Sequence, residues 1–289
     1  MKRILGCIFW GLSISLAALR ADEIILAGGD EVFIVEAAEA EAGRIQKRWR
    51  WNGQEAEDVP AEVRREFHHL DECKAVEHGS KLLVCASNGG CALLDRATKR
   101  VLWRASSRNA HSLDLLPGGR VVVASSLGGD HLEVFDLKGG AVPVCKTPLP
   151  SAHGVCWDDA RQCLWALGFD ELRCYLLADW ASPKPSLQSK RTHRLPDADG
   201  HDLRPVPGSD DLLLTTHHTI LLFDRKQETF RPHPVLQGLA KVKSVDIHPE
   251  TRRIVLSTWG TTLRLLAPEG TITFQDAHPY KARWLPASQ

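Results

Sequence analysis

Residues 120–136 read RVVVASSLGGDHLEVFD, and this stretch decides the fold. Val121, Val122 and Val123 form a β-branched apolar run too short for a helix. A turn rich in small and polar residues follows from Ser125 to Asp130, and then a second, largely apolar strand with Leu132, Val134 and Phe135 ends in the acid Asp136. Two strands around a tight turn satisfy that pattern. The same unit recurs at 24–36 (IILAGGDEVFIVE), 82–95 (LLVCASNGGCALLD), 163–176 (CLWALGFDELRCYL), 211–224 (DLLLTTHHTILLFD) and 253–267 (RIVLSTWGTTLRLLA). Self-similarity at a fixed period outranks any local reading, because each unit must bury its faces against a neighbouring copy.

A further short strand precedes most of these hairpins. Its openings are Cys73-Lys74, His111-Ser112, His153-Gly154, His201-Asp202 and Lys243-Ser244; the first hairpin lacks one, and Lys281-Ala282-Arg283-Trp284 supplies the missing piece near the C-terminus. Openings spaced about 40 residues apart suit a blade of four strands. The expected fold is therefore all-β, a six-bladed β-propeller whose first blade is closed by the C-terminal strand, with residues 280–285 paired to 23–27. The clearest outer strands fall at 99–105 and 45–51. Asp58 and Pro60 predict a short helix over 59–67, in an insertion near 58–68 that would cap one face.

Composition narrows the function classes. The 289 residues are 43% hydrophobic and 25% charged, which excludes a disordered, collagenous or coiled-coil chain. Basic and acidic residues number 36 each, so no net basic field recruits nucleic acid. Lys2 and Arg3, the apolar run from Ile4 to Leu19 and the small residue Ala21 predict a signal peptide over 1–21 and a propeller domain over 22–289. The expected protein is exported to the periplasm or beyond, with no membrane insertion after cleavage. Seven cysteines remain, at 73, 85, 91, 145, 156, 163 and 174. Cys85/Cys91 and Cys156/Cys163 flank hairpin turns, so each pair is either a bridge or two buried core thiols.

Equivalent positions of a propeller converge on its axis. The openings place Lys74, His111, His153, His201, Lys243 and Lys281 around one ring; the turns between second and third strands add Asp170, Glu171 and His217, and Asp71 and Glu72 arrive just before Lys74. Imidazoles at His111, His153 and His201 with a nearby carboxylate are a donor set for a divalent metal. The lysine arc attracts an anion. The competing reading for each histidine is a hydrogen bond to backbone between blades, and for the lysines an ion pair with Glu72 or Asp246. His68, His69, His78, His131, His193, His233, His248 and His278 read as surface or loop residues.

The motifs Asp71-Glu72-Cys73-Lys74, Asn109-Ala110-His111-Ser112, His153-Gly154-Val155, Gly200-His201-Asp202-Leu203, Thr215-Thr216-His217 and Val242-Lys243-Ser244-Val245 together resemble a secreted bacterial propeller family, the domain of unknown function 6528 in the WD40/YVTN-like superfamily. One departure is Ala152, where glycine is more usual. The resemblance implies the propeller fold and export but no reaction. A more distant likeness, at the level of fold alone, extends to oligogalacturonate lyases and carotenoid-cleaving oxygenases, in which histidines from different blades hold a metal.

Two classes of function remain open. One is a glycan-processing enzyme, a lyase acting on an anionic sugar, with His111, His153, His201 and Lys243 catalytic and Glu72, Lys74, Glu171, His217 and Lys281 binding ligand. Hydrolysis by paired carboxylates from Glu72, Asp170 or Glu171 is a variant of it. The other is a non-catalytic module that binds a small molecule, a glycan or a protein partner, including a structural role in the envelope. No nucleophile elbow, phosphate loop or His-Glu-x-x-His helix is present.

Overall fold

The computed structural model describes residues 22–285, so the expected signal peptide over 1–21 lies outside the described residues. Six antiparallel sheets of four strands form a ring. From the axis outward, blade three runs Ala110–Leu116, Arg120–Ser125, His131–Asp136 and Pro143–Pro148. The other blades repeat this order. In blade one the innermost strand is Lys281–Leu285, paired to Glu23–Gly28 with Glu23 opposite Leu285 and Ala27 opposite Lys281. The expected closure of the ring by the C-terminal strand is what the protein adopts.

The middle strands of each blade are covered on both faces, which is why they read as unbroken apolar runs. Six hydrophobic clusters fill the six seams between neighbouring blades. One residue of each inner strand anchors the seam: Cys73, Leu113, Val155, Leu203, Val245 and Ala282. Full burial of side chains of this kind stabilises by roughly 1.5–3 kcal/mol for each of the larger ones. At Gly154 an added Cβ would lie 2.7 Å from the Cβ of Leu203, so only glycine lets blade five approach blade four there.

Three local expectations change. The short helix expected over 59–67 is a 3-10 helix and starts later, at Ala61–Phe67. Asp58 does not cap it; its carboxylate accepts from the Val101 amide at 2.6 Å. The helix seats Phe67 edge-on against Trp51 in the seam of blades one and two, and it does not line the axial pocket. A short α-helix at Ala37–Glu41 is an addition to the expected elements. All seven cysteines are free. Cys85 faces Cys91 across its hairpin, whereas Cys156 lies opposite Trp165 and Cys163 opposite Asp158, so that second pair is not juxtaposed. Cys163 meets Cys174 on the adjoining strand instead, and that contact is what raises the Cys174 thiol above its ordinary value. Among the described residues no helix is long and apolar enough to cross a membrane.

Candidate functional site

Strand register, not residue type, decides which side chains share a level of the channel. Glu72 lies opposite Cys85, Ser112 opposite Ala124, Gly154 opposite Leu167, Asp202 opposite Thr215, Ser244 opposite Ser257 and Lys281 opposite Ala27. Side chains at this level bond forward to the next blade: Ser112 Oγ accepts from Val155 N, Asp202 from Val245 N, and Ser244 Oγ from Ala282 N. One residue upstream therefore comes the level that opens to solvent. It consists of Asp71, His111, His153, His201, Lys243 and Tyr280. Bulges at Asp71 and His111 add one residue to their strands and turn those side chains toward the axis.

This level lines a pocket of about 490 Å³, with Gly29, His69, Leu70, Ser87, Asn109, Ser126, Leu127, Ser151, Asp199 and Trp259 completing the wall. His111, His153, His201 and Lys243 are brought together as the sequence suggested. Glu72, Lys74 and Lys281 are not on that rim. Lys281 and Glu72 are fully buried one level deeper, where the Lys281 ammonium lies 3.1 Å from Glu72 and 3.5 Å from Asp202. Arg283 joins them, donating to Asp202 at 2.6 Å and to Glu72 at 3.1 Å. Lys74 is deeper still, donating to Val155 O at 2.6 Å beside Asp114. These charges close the channel beneath the pocket. Burial alone would raise the Glu72 carboxyl, but Arg283, Lys281 and Lys74 outweigh it and hold the group at about 2.

Glu171 lies outside the pocket and pairs with Arg173. His217 stands beside the pocket, its Nδ1 3.4 Å from Asp199. Tyr280 and Asp199 are pocket residues that the sequence reading missed, and Asp71, which it placed beside Glu72 in the polar ring but not among the site residues, lines the pocket with them. A signal exists for two of them: the pocket residue sits two before the first seam residue of each blade, which points to Asp71 before Cys73 and Tyr280 before Ala282. Asp199 comes from a loop outside the repeat. His69, expected in a loop away from the site, lines the pocket, while His233 and His248 are buried and accept from backbone amides two and three residues onward.

Hydrogen bonds assign the imidazole tautomers. Lys243 donates to His201 Nε2 at 2.9 Å, so the neutral His201 ring carries its proton on Nδ1, 3.4 Å from His153 Nε2. His153 Nδ1 donates onward to the His201 carbonyl at 2.6 Å. The Tyr280 hydroxyl also reaches His153 Nε2, at 3.4 Å. His111 donates through Nδ1 to Asn109 O at 3.0 Å, which leaves its Nε2 lone pair open.

Burial keeps all three rings neutral. It lowers His111 to about 4 and, with the Lys243 charge, His201 to about 3; His153 lies well below its ordinary value for the same reason, aided by the neighbouring imidazoles. Burial also lowers Lys243. Asp71 moves the other way, raised by burial to about 7 even though Ser87 donates to it. The pocket thus joins an ammonium, a carboxyl that titrates near neutrality and the open imidazole nitrogen of His111, with His111 Nε2 4.0 Å from Asp71 Oδ2.

The expected metal set of His111, His153 and His201 does not surround a point. The rings follow one another in series, with centroids 4.2 and 4.9 Å apart, and both nitrogens of His153 and of His201 are engaged by one another, by backbone and by Lys243. Among the described residues the one group whose ligand atoms all lie within 4.8 Å is Asp199, His201 and His217. A cation there must compete with the Lys243 ammonium already on His201 Nε2.

No curated protein matches the chain. Residues 6–288 match the model of a family of unknown function, DUF6528, and with a match spanning nearly the whole sequence and a structure that is a six-bladed propeller, the chain belongs to that family.

Proposed function

We propose that the axial pocket binds a compact anionic ligand on Lys243 and that the protein is a lyase-type enzyme acting on an acidic sugar. The carrying observation is the placement of an ammonium and a carboxyl raised to about 7 in one pocket of monosaccharide-to-disaccharide size. β-Elimination beside a carboxylate needs a cation to stabilise the enolate and a group that takes the adjacent proton near its own pKa. Lys243 fills the first role. Ionised Asp71 fills the second: it removes the proton as the carbon–carbon double bond forms, and returns it to the departing glycosidic oxygen as the carbon–oxygen bond breaks. His111 Nε2 accepts from a sugar hydroxyl.

Export belongs to this reading and rests on the residue pattern of 1–21. N-terminal sequencing of the protein recovered from the periplasm or medium is expected to begin at Asp22.

A non-catalytic binding module is the second reading. It is favoured by the closed series from Lys243 through His201 to His153, which leaves two of the three imidazoles without a free nitrogen. Incubation with oligogalacturonides, followed by the ultraviolet absorbance of an unsaturated product, separates the two. Product formation lost in Asp71→Asn supports the enzyme; calorimetric binding of galacturonate with no product from any acidic glycan leaves the module.

A further inference from the structure

Trp259 is held against its own backbone preference and is left largely exposed. It occupies the turn between Ile254–Ser257 and Thr262–Leu266, is 61% exposed, and holds a left-handed φ of +59°. A bulky residue is strained at such a φ, and exposed indole gains little from burial. The next residue is Gly260, which would adopt that conformation freely. What the position does achieve is orientation: the Trp259 amide donates to Ser257 Oγ at 3.3 Å, and the indole stands edge-on to Tyr280 at 5.6 Å and 81°.

The ring therefore forms one wall of the pocket mouth, on the same blade that supplies Lys243. Blade three lies diametrically across the ring from blade six, and its turn presents Leu127, 69% exposed, to the same pocket. Two apolar walls thus flank an ammonium, above a floor closed by Glu72, Asp202, Lys281 and Arg283. A flat ring with apolar C–H faces and a carboxylate at its edge meets all of these at once. A linear acid meets only the ammonium.

We infer that Trp259 is the specificity-determining platform of the pocket, stacking on the C–H face of a sugar acid in its pyranose form while Lys243 holds the carboxylate. The inference rests on the reading of Lys243 as the anion anchor, and the probes keep the two apart. Calorimetry with galacturonate, digalacturonate and the linear acid galactonate is run on the full-length protein and on Trp259→Ala and Trp259→Phe, with melting curves to confirm folding. The ring-form probes are expected to bind at least tenfold more tightly than galactonate. Trp259→Ala should weaken them about tenfold and Trp259→Phe much less, with galactonate unchanged in both. Tighter binding of digalacturonate than galacturonate assigns the ring to a glycan end, and the reverse order assigns it to a free sugar acid. Equal affinity for galactonate and galacturonate, or ring-form affinity intact in Trp259→Ala, overturns the platform and leaves the anion anchor standing. Failure of all three probes to bind the unmodified protein overturns the anchor and the platform with it.

Discussion

Lys243 Nζ stands 2.9 Å from His201 Nε2, and this single contact fixes the proton positions of the rings behind it. It also occupies the His201 nitrogen that a cation would otherwise use in the Asp199, His201 and His217 group. Lys243→Met is therefore expected to change two properties in opposite directions. Galacturonate affinity should fall about tenfold or more, because a charge-assisted hydrogen bond is lost. Retention of Zn²⁺ after dialysis should rise, as measured by elemental analysis. Unchanged zinc content in the variant would contradict the competition described above.

Asp71 gives a pH signature with a defined sign. Its folded carboxyl keeps a proton up to about pH 7, whereas the unfolded group releases it near 3.8. Between those values the folded state holds more protons, so this group's effect is to lower stability as pH rises from about 4 to 7. Asp71→Asn removes that loss and can still accept from Ser87. The variant should match the parent near pH 4 and exceed it at pH 8 by roughly 2–4 kcal/mol, read from denaturant melts at both pH values.

The histidines oppose this trend. His111 and His201 are depressed to about 4 and about 3, so the stability they contribute is complete above the ordinary histidine pKa and is lost as pH falls toward those values. His153→Ala should cost about 1–3 kcal/mol at pH 7.5, since it leaves the His201 Nδ1–H and the Tyr280 hydroxyl without their shared acceptor. His111→Ala, which strands only the Asn109 carbonyl, should cost less while abolishing more of the turnover. Thermal melts and product assays on the two variants test this division.

Arg283 faces Glu72 and Asp202 together, with all three buried. Arg283→Ala leaves two carboxylates with only Lys281 between them, and a loss of about 3–5 kcal/mol is expected. Arg283→Lys should recover part of it, because an ammonium restores charge but not the forked geometry. Equal stability of both variants and the parent by chemical denaturation would remove the ion cluster from the forces that hold the ring.

The hairpins are legible in sequence because they are buried on both faces and turn on small residues, so apolar runs and punctuation suffice to count blades and to find the closing strand. The histidines are legible for a related reason: each is followed by a small or polar residue and then a seam residue, as in His111-Ser112-Leu113. Lys74 and Lys281 are misplaced by an alignment to Lys243 on residue type. The alignment that matters is the distance to Cys73 and Ala282, and it selects Asp71 and Tyr280. Bulges at Asp71 and His111 depend on register with a partner strand, and no local pattern displays them. Asp199 enters from an irregular loop, where repeat logic has no purchase.

The order of synthesis gives the closing strand a temporal meaning. Of the strands described, Lys281–Leu285 leaves the ribosome last, yet it carries the guanidinium that Glu72 and Asp202 require. Until it is made, two interior carboxylates wait for their partner, and two of the six seams lack Ala282, Trp284 and Leu285. The ring is thus a structure of completion: a polypeptide interrupted before residue 283 is marked as unfinished by its own unmet charge, and this strand decides whether the blades made before it lock.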